Sequence, residues 1–301
     1  MLDFKIDKTK DCIVIDTDDW KQGSSLLKRY KMSGRSVVTY ITEVVDKNII
    51  SKKFKDANSV LEKGSLVLIS RIASEISKDR GYNIENKKYY HIPIMQVLGY
   101  FNDTRFTLDS LNLLYDKVLV EKIDSSLDQS LIIPDCKSMI GRILKVGTNK
   151  FDSNWNKVPL TVTVGDTVLI KDNVSTKVTF EGKEYFVVEE NSIIGIFKDK
   201  GNLTLDNLKV INNYIILKEF IDEKLLGSDV LSTPLLDYAS LDETDIYNMN
   251  TFKVEGIDET IKEINKYDVI IADRSMTSYA YLNTDKFFAL TGTFYVDAKI
   301  R

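Results

Sequence analysis

The chain has 301 residues, 43% of them hydrophobic, with 41 basic and 45 acidic side chains and a formal net charge of −4. This apolar share points to folded domains and excludes a wholly disordered chain. The charges are interspersed, with no basic stripe, so nucleic-acid binding by phosphate neutralisation is not expected. No apolar run approaches the ~20 residues of a membrane helix, and Met1-Leu2-Asp3-Phe4-Lys5 has no apolar signal core, so no membrane contact is expected. A disulfide between Cys12 and Cys136 is not expected in the reducing compartment this implies.

Strand signals dominate. Cys12-Ile13-Val14-Ile15 opens with a short apolar strand, and a polar segment, 16–35, carries Leu26-Leu27. A helical turn fits Ser59-Val60-Leu61-Glu62. Lys63-Gly64-Ser65-Leu66-Val67-Leu68-Ile69 then reads as a turn and a strand. Asn86-Lys87-Lys88 marks a hairpin turn before the aromatic strand Lys88-Tyr89-Tyr90. The Leu111 region fits a helical turn, Val118-Leu119-Val120 is the next apolar strand, and the polar segment 122–139 carries Leu131-Ile132-Ile133. Val162, Val164 and Val168 alternate with polar residues as half-buried strands do, interrupted by a turn at Gly165-Asp166. Glu181-Gly182-Lys183 turns the chain into Glu184-Tyr185-Phe186. Ile215-Ile216-Leu217, the polar segment 220–250 with Val230-Leu231, the turn Asn283-Thr284-Asp285 and the strand Lys286-Phe287-Phe288 complete the series.

These elements recur in one order. Thr107-Leu108-Asp109-Ser110-Leu111 parallels Thr204-Leu205-Asp206-Asn207-Leu208, and Val118-Leu119-Val120 then falls on Ile215-Ile216-Leu217 without a gap. Leu2-Asp3 and Cys12 to Ile15 fit the same frame with one indel. Lys63 to Ile69, Val164 to Ile170 and Lys266-Tyr267-Asp268-Val269-Ile270-Ile271 form a second set of three. Several anchors in the same order, at a period of roughly a hundred residues, mark a tandem repeat. The expected fold is all-β: three tandem small β-barrels over residues 1–103, 104–200 and 201–301, since closure limits exposed sheet edges. An apolar cluster on a polar loop costs solvation unless something covers it. Leu26, Leu27, Leu131, Ile132, Ile133, Val230 and Leu231 are therefore the candidate partner-binding residues, with packing on their own barrel as the alternative.

Catalytic chemistry finds little footing. His91 is the lone histidine, next to Pro93, and nothing in the sequence orients it for catalysis or metal binding. Asp16, Asp18 and Asp19 lack the spacing and distal Glu of a calcium loop. No Gly-rich phosphate loop occurs. Neither an enzyme nor a cofactor is expected.

The second copy resembles the GroES-type co-chaperonins over about 104–200. The resemblance rests on Leu114-Tyr115-Asp116-Lys117-Val118-Leu119-Val120, Ser130-Leu131-Ile132-Ile133-Pro134-Asp135 and Gly141-Arg142-Ile143-Leu144-Lys145-Val146-Gly147. It continues through Val164-Gly165-Asp166, Tyr185 and Ile193-Ile194-Gly195-Ile196. It implies GroES-like barrels, with Leu131, Ile132 and Ile133 as the contact triplet of a mobile loop that docks a chaperonin. It also implies a roof hairpin from Thr148 to Val158 that includes Trp155. Gln129 and Ser130 stand where the family has paired glycines. The third copy has only Gly256 to Ile264 where a roof hairpin belongs.

Two functions follow from different classes. The first is a non-enzymatic structural protein, a phage capsid auxiliary or other virion component. It would be made in the host bacterial cytoplasm and bind a major capsid protein lattice through its barrels. The second is a co-chaperonin lid docking a GroEL-type chaperonin. Three unequal barrels do not divide a seven-membered ring, and fusion makes weak contacts avid, which together favour the first. Both readings place the chain in a larger or oligomeric assembly.

Overall fold

The computed structural model describes residues 12–16, 36–44, 66–70, 82–84, 87–93, 97–102, 107–123, 139–151, 156–171, 175–220, 249–273, 277–282, 285–292 and 296–300. Among these residues the protein is all-β, with short 3-10 turns and no α-helix. The chain divides into two compact units. One comprises residues 1–121, 143–164 and 175–190, and the other 122–142, 165–174 and 191–301.

The first sheet contains β1 (Cys12–Asp16), β2 (Ser36–Val44), β3 (Leu66–Ser70), β4 (Tyr82–Ile84), β5 (Lys87–Pro93), β6 (Val97–Phe101) and β7 (Leu111–Leu113), in the order β4-β5-β1-β2-β3-β6-β7. Next along the chain come β8 (Lys117–Lys122) and β9 (Met139–Val146), then the separate pair β10 (Lys150–Phe151) and β11 (Lys157–Val158). They are followed by β12 (Thr167–Ile170), β13 (Thr176–Phe180), β14 (Lys183–Glu189), β15 (Ile193–Phe197) and β16 (Leu208–Val210). The second large sheet runs β13-β14-β8-β9-β12-β15-β16. The third, β20-β21-β17-β18-β19-β22, uses β17 (Tyr214–Glu219), β18 (Met249–Ile257), β19 (Val269–Asp273), β20 (Ser278–Leu282), β21 (Asp285–Thr291) and β22 (Val296–Ile300).

The first six strands follow the same order in each of the three large sheets, the third lacking a counterpart of β7 and β16 among the described residues, and local irregularities recur as well. The register of β3 on β6 shifts at Leu68/Ile69, that of β12 on β15 at Leu169/Ile170, and that of β19 on β22 at Ile271/Ala272. A bulge fixes twist and register locally, so its recurrence at matched positions sets the three sheets on one frame. Val118-Leu119-Val120 and Ile215-Ile216-Leu217 are buried throughout, as expected of their uninterrupted apolar runs. Glu181 and Gly182, at φ 51° and 81°, make the two-residue turn between β13 and β14 that matches strand twist.

Two expectations are corrected. The Leu111 region is not a helical turn but strand β7, antiparallel to β6 with Phe101 opposite Leu111 and Gly99 opposite Leu113. Its Leu-Asn-Leu alternation buries Leu111 and Leu113 and leaves Asn112 half-buried, which is a strand pattern of period two. The segment from Val162 to Gly165 is not a strand either; only Thr167–Ile170 pairs. The helical turn expected at Ser59 to Glu62 lies outside the described residues.

Each unit has its own core. In the first, Leu68, Leu98, Phe101 and Leu111 pack with Leu119, Phe180, Tyr185 and Val187. In the second, Leu169, Ile194 and Phe197 pack with Leu208, Tyr214 and Ile216, and a further cluster centres on Phe252 and Phe288, whose rings lie 5.2 Å apart. At ~25 cal/mol per Å² of apolar surface, fully burying one such ring contributes ~2–3 kcal/mol.

Candidate functional site

The three apolar clusters occupy one topological place. Leu26-Leu27 falls between β1 and β2, Leu131-Ile132-Ile133 between β8 and β9, and Val230-Leu231 between β17 and β18. All seven residues lie outside the described residues, but the stems of their loops are described. Asp16 stands opposite Tyr40 at the first stem. At the second, Ile123 N–H donates to Ile140 O at 2.9 Å, and Ile123 packs on the core around Leu169 and Ile194. At the third, Phe220 N–H donates to Thr251 O at 3.0 Å. Each loop therefore leaves its sheet from a pinned end. Connections longer than ~12–15 residues are uncommon in compact domains and are usually functional or linkers.

The short β10–β11 pair is tied to the chain that follows it. Phe151 stands opposite Lys157 and Lys150 opposite Val158 in the β10–β11 pair. Glu190 is fully buried on the 3-10 turn after β14. Its Oε2 lies 2.6 Å from Lys150 Nζ, and its Oε1 accepts from the N–H groups of Thr161 and Val162. One carboxylate thus ties β10 to the chain after β11, and Lys150 Nζ also donates to Thr161 Oγ1 at 3.0 Å. A buried charge is tolerable only with such partners. The sequence did not single out Glu190; its only signal is an acidic residue directly before an apolar strand.

The third sheet replaces this arrangement. Gly147 N–H donates to Lys117 O, and Asp258 N–H donates to Tyr214 O, so Gly147 and Asp258 are counterparts. Glu190 N–H donates to Asp116 O, and Gly292 N–H donates to Asn213 O, so the anchoring glutamate has become a glycine at φ 70°. Between Asp258 and Val269 there is no hairpin. The Asp258 carboxylate instead accepts from Asn213 N–H at 2.7 Å and Thr260 N–H at 2.9 Å and caps a short turn.

An apolar cleft of about 390 Å³ adjoins β7, lined among others by Tyr100, Leu113, Tyr115, Leu144 and Val164. Among the described residues that line it, Lys145 is the cation, and it donates to the carbonyls of Asp109 at 3.0 Å and Leu111 at 2.8 Å. Burial pulls the Lys145 ammonium below its usual range, against the opposing charge of Asp109. Lys145 is occupied in holding the backbone of Asp109 and Leu111, and among the described lining residues there is no acid–base pair. Among the described residues, no helix is long and apolar enough to cross a membrane, and no group of three His, Cys, Asp or Glu is placed to hold a metal ion.

Comparison with known proteins agrees with the resemblance in the middle of the chain. The family model "Chaperonin 10 Kd subunit" matches residues 110–197. The Co-chaperonin GroES of Ehrlichia ruminantium (strain Welgevonden) is 36% identical over 89 residues, 28% of this chain and 95% of that protein. That of Chlamydia caviae is 38% identical over 88 residues, 28% of this chain and 86% of the relative. That of Aquifex aeolicus is 33% identical over 96 residues, 30% of this chain and 79% of the relative. These relatives favour the lid reading over the capsid reading. With nearly a whole GroES chain matched between the strand β7 and the end of β15, the protein belongs to the chaperonin 10 (GroES) family.

Proposed function

We propose that this protein is a non-catalytic co-chaperonin that docks a GroEL-type chaperonin through Leu131-Ile132-Ile133. The observation that carries the reading is the match over residues 110–197, which takes in the middle sheet together with the β8–β9 connection and its apolar triplet. An apolar triplet inserted into an apolar groove of the partner is stabilised by burial, and a pinned stem limits the entropy lost on docking.

In this reading the chain is three tandem GroES-like barrels, at 1–103, 104–200 and 201–301. The shared strand order and matched register shifts support that division. Leu26-Leu27 and Val230-Leu231 are then weaker counterparts of the triplet, and linking three weak contacts on one chain gives avidity. The protein acts where its partner acts, in a bacterial cytoplasm. A capsid lattice as partner has no support from the relatives.

Cosedimentation with a GroEL-type chaperonin, with and without ATP, tests the proposal. Nucleotide-dependent binding that is lost on changing Leu131, Ile132 and Ile133 to serine, with the circular dichroism unchanged, is the expected result. Equal binding by that variant would refute the assigned contact. No binding by the unaltered chain, where a single-barrel co-chaperonin binds, would refute the function.

A further inference from the structure

The cleft beside β7 is separate from the loops that carry the apolar clusters. Its volume of about 390 Å³ is that of a small-molecule pocket, and Tyr100, Leu113, Leu114, Leu144 and Val164 give it an apolar wall. Leu111 and Lys145 line it too, and the Leu111 carbonyl holds Lys145 Nζ at 2.8 Å, which places the ammonium at the cleft. A lysine has three N–H donors. Two of those on Lys145 go to the carbonyls of Asp109 and Leu111. The third is left over, and among the described residues no carboxylate stands within ion-pair distance of it. Asp109 attracts the ammonium only from farther off, on an exposed side chain.

The frame does not require an amine at this place. β16 lies on β15 as β7 lies on β6: Gly195 stands opposite Val210 where Gly99 stands opposite Leu113, and Ile211 N–H donates to Ile194 O where Leu114 N–H donates to Leu98 O. Gly147 and Asp258 are counterparts, so Lys145 and Gly256, two residues before them, are counterparts as well. At Gly256 a Cβ would meet Val210 Cγ2 at 3.1 Å. The third sheet thus has a glycine under a close apolar contact where the middle one sends out a lysine. Lys145 is an addition to the frame, placed at an apolar cleft where a charge is costly unless it is paired.

An apolar wall with one half-buried ammonium matches a ligand of the same make-up, an apolar body that ends in a carboxylate. We propose that the cleft binds a small monocarboxylate with an aryl or alkyl body. The body lies against Tyr100, Leu144 and Val164, and one carboxylate oxygen accepts from the third N–H of Lys145. The argument for this occupant is charge complementarity at a cation that the described chain leaves without an ion pair. Burial pulls the Lys145 ammonium below its usual range, and a bound carboxylate offsets that penalty. The site does not depend on chaperonin docking.

Isothermal titration calorimetry of the full chain tests it, with hydrocinnamate as the acid and hydrocinnamyl alcohol as its neutral counterpart. The acid is expected to bind with a Kd of about 1 mM or tighter. It should bind about tenfold more tightly than the alcohol, because a charge-assisted bond carries the difference. Lys145→Met keeps the stem, removes the charge, and should bring the two ligands to equal affinity. Val164 is 60% exposed, so Val164→Asp sets a like charge on the rim without disturbing the core. That variant should weaken the acid about fivefold and leave the alcohol unchanged. Equal affinity of acid and alcohol for the unaltered chain, no saturable binding of the acid, or an acid preference that survives in a folded Lys145→Met chain would each overturn the inference. Where Lys145→Met loses its circular dichroism spectrum, Val164→Asp decides: an acid affinity unchanged there overturns the inference as well.

Discussion

Replacing Glu190 with alanine should loosen the segment around Thr161 and Val162 while the rest of the chain stays folded. The carboxylate is fully buried and serves three groups: Lys150 Nζ and the N–H groups of Thr161 and Val162. Lys150, with 28% of its side chain exposed, can turn to water, so its loss is modest. The Val162 N–H is buried and cannot. A stranded buried donor costs ~1–3 kcal/mol and a broken buried ion pair ~3–5 kcal/mol, so about 3 kcal/mol is expected in total. At 1.4 kcal/mol per tenfold, that is roughly a hundredfold rise in local opening. Hydrogen exchange of a peptide spanning 156–171 reads this directly, with 208–220 as the control. Glu190→Gln keeps an acceptor for the peptide N–H groups and should cost ~1 kcal/mol, near fivefold. Unchanged exchange at 156–171 in the alanine variant, or equal loosening of the control, would refute the assignment of Glu190 as the anchor.

Other substitutions probe the frame around it. At Gly147 a Cβ would sit 2.0 Å from Tyr115 O, a backbone atom that cannot swing aside, so Gly147→Ala should destabilise the middle sheet by ~2–3 kcal/mol in urea unfolding. Burial pushes the Tyr115 hydroxyl well above its ordinary value near 10. The folded protein therefore holds that proton after the unfolded chain has released it, and the associated stability is full below that value and lost as pH rises beyond it. Tyr115→Phe should flatten the fall in urea midpoint between about pH 9 and 11; an unchanged slope would contradict this. Phe252→Ala removes a fully buried ring beside Phe288 and should cost ~3–5 kcal/mol, read as early loss of exchange protection across 249–273.

Much of the fold was legible because its signals are local. The apolar triplets at 118–120 and 215–217 carry their own burial, and Glu181-Gly182 carries its own turn. The Leu111 segment misled because three residues cannot distinguish a short strand from a turn; its conformation is fixed by β6, a partner outside the window. Val162 misled for a related reason. Its N–H is taken by the carboxylate of a side chain 28 residues away, in place of a strand neighbour. Glu190 was invisible for the same cause. Its meaning lies in Lys150, Thr161 and Val162, none of them close in sequence. The replacement of that anchor by Gly292 in the third sheet became visible only once the hydrogen bonds of Asn213 and Asp116 aligned the two. The apolar loop triplet at 131–133 lies outside the described residues and rests on composition and resemblance.

The most direct test of chaperonin docking through the middle loop is a trypsin footprint at Lys137, which lies in the segment between β8 and β9. Cutting after Lys137 is followed by mass spectrometry for the protein alone, with a GroEL-type chaperonin, and with chaperonin plus ATP. The account predicts that cleavage there is suppressed only in the last case, with cleavage at other lysines unchanged. Cleavage at Lys137 that proceeds at its free rate while the protein is demonstrably bound would contradict it.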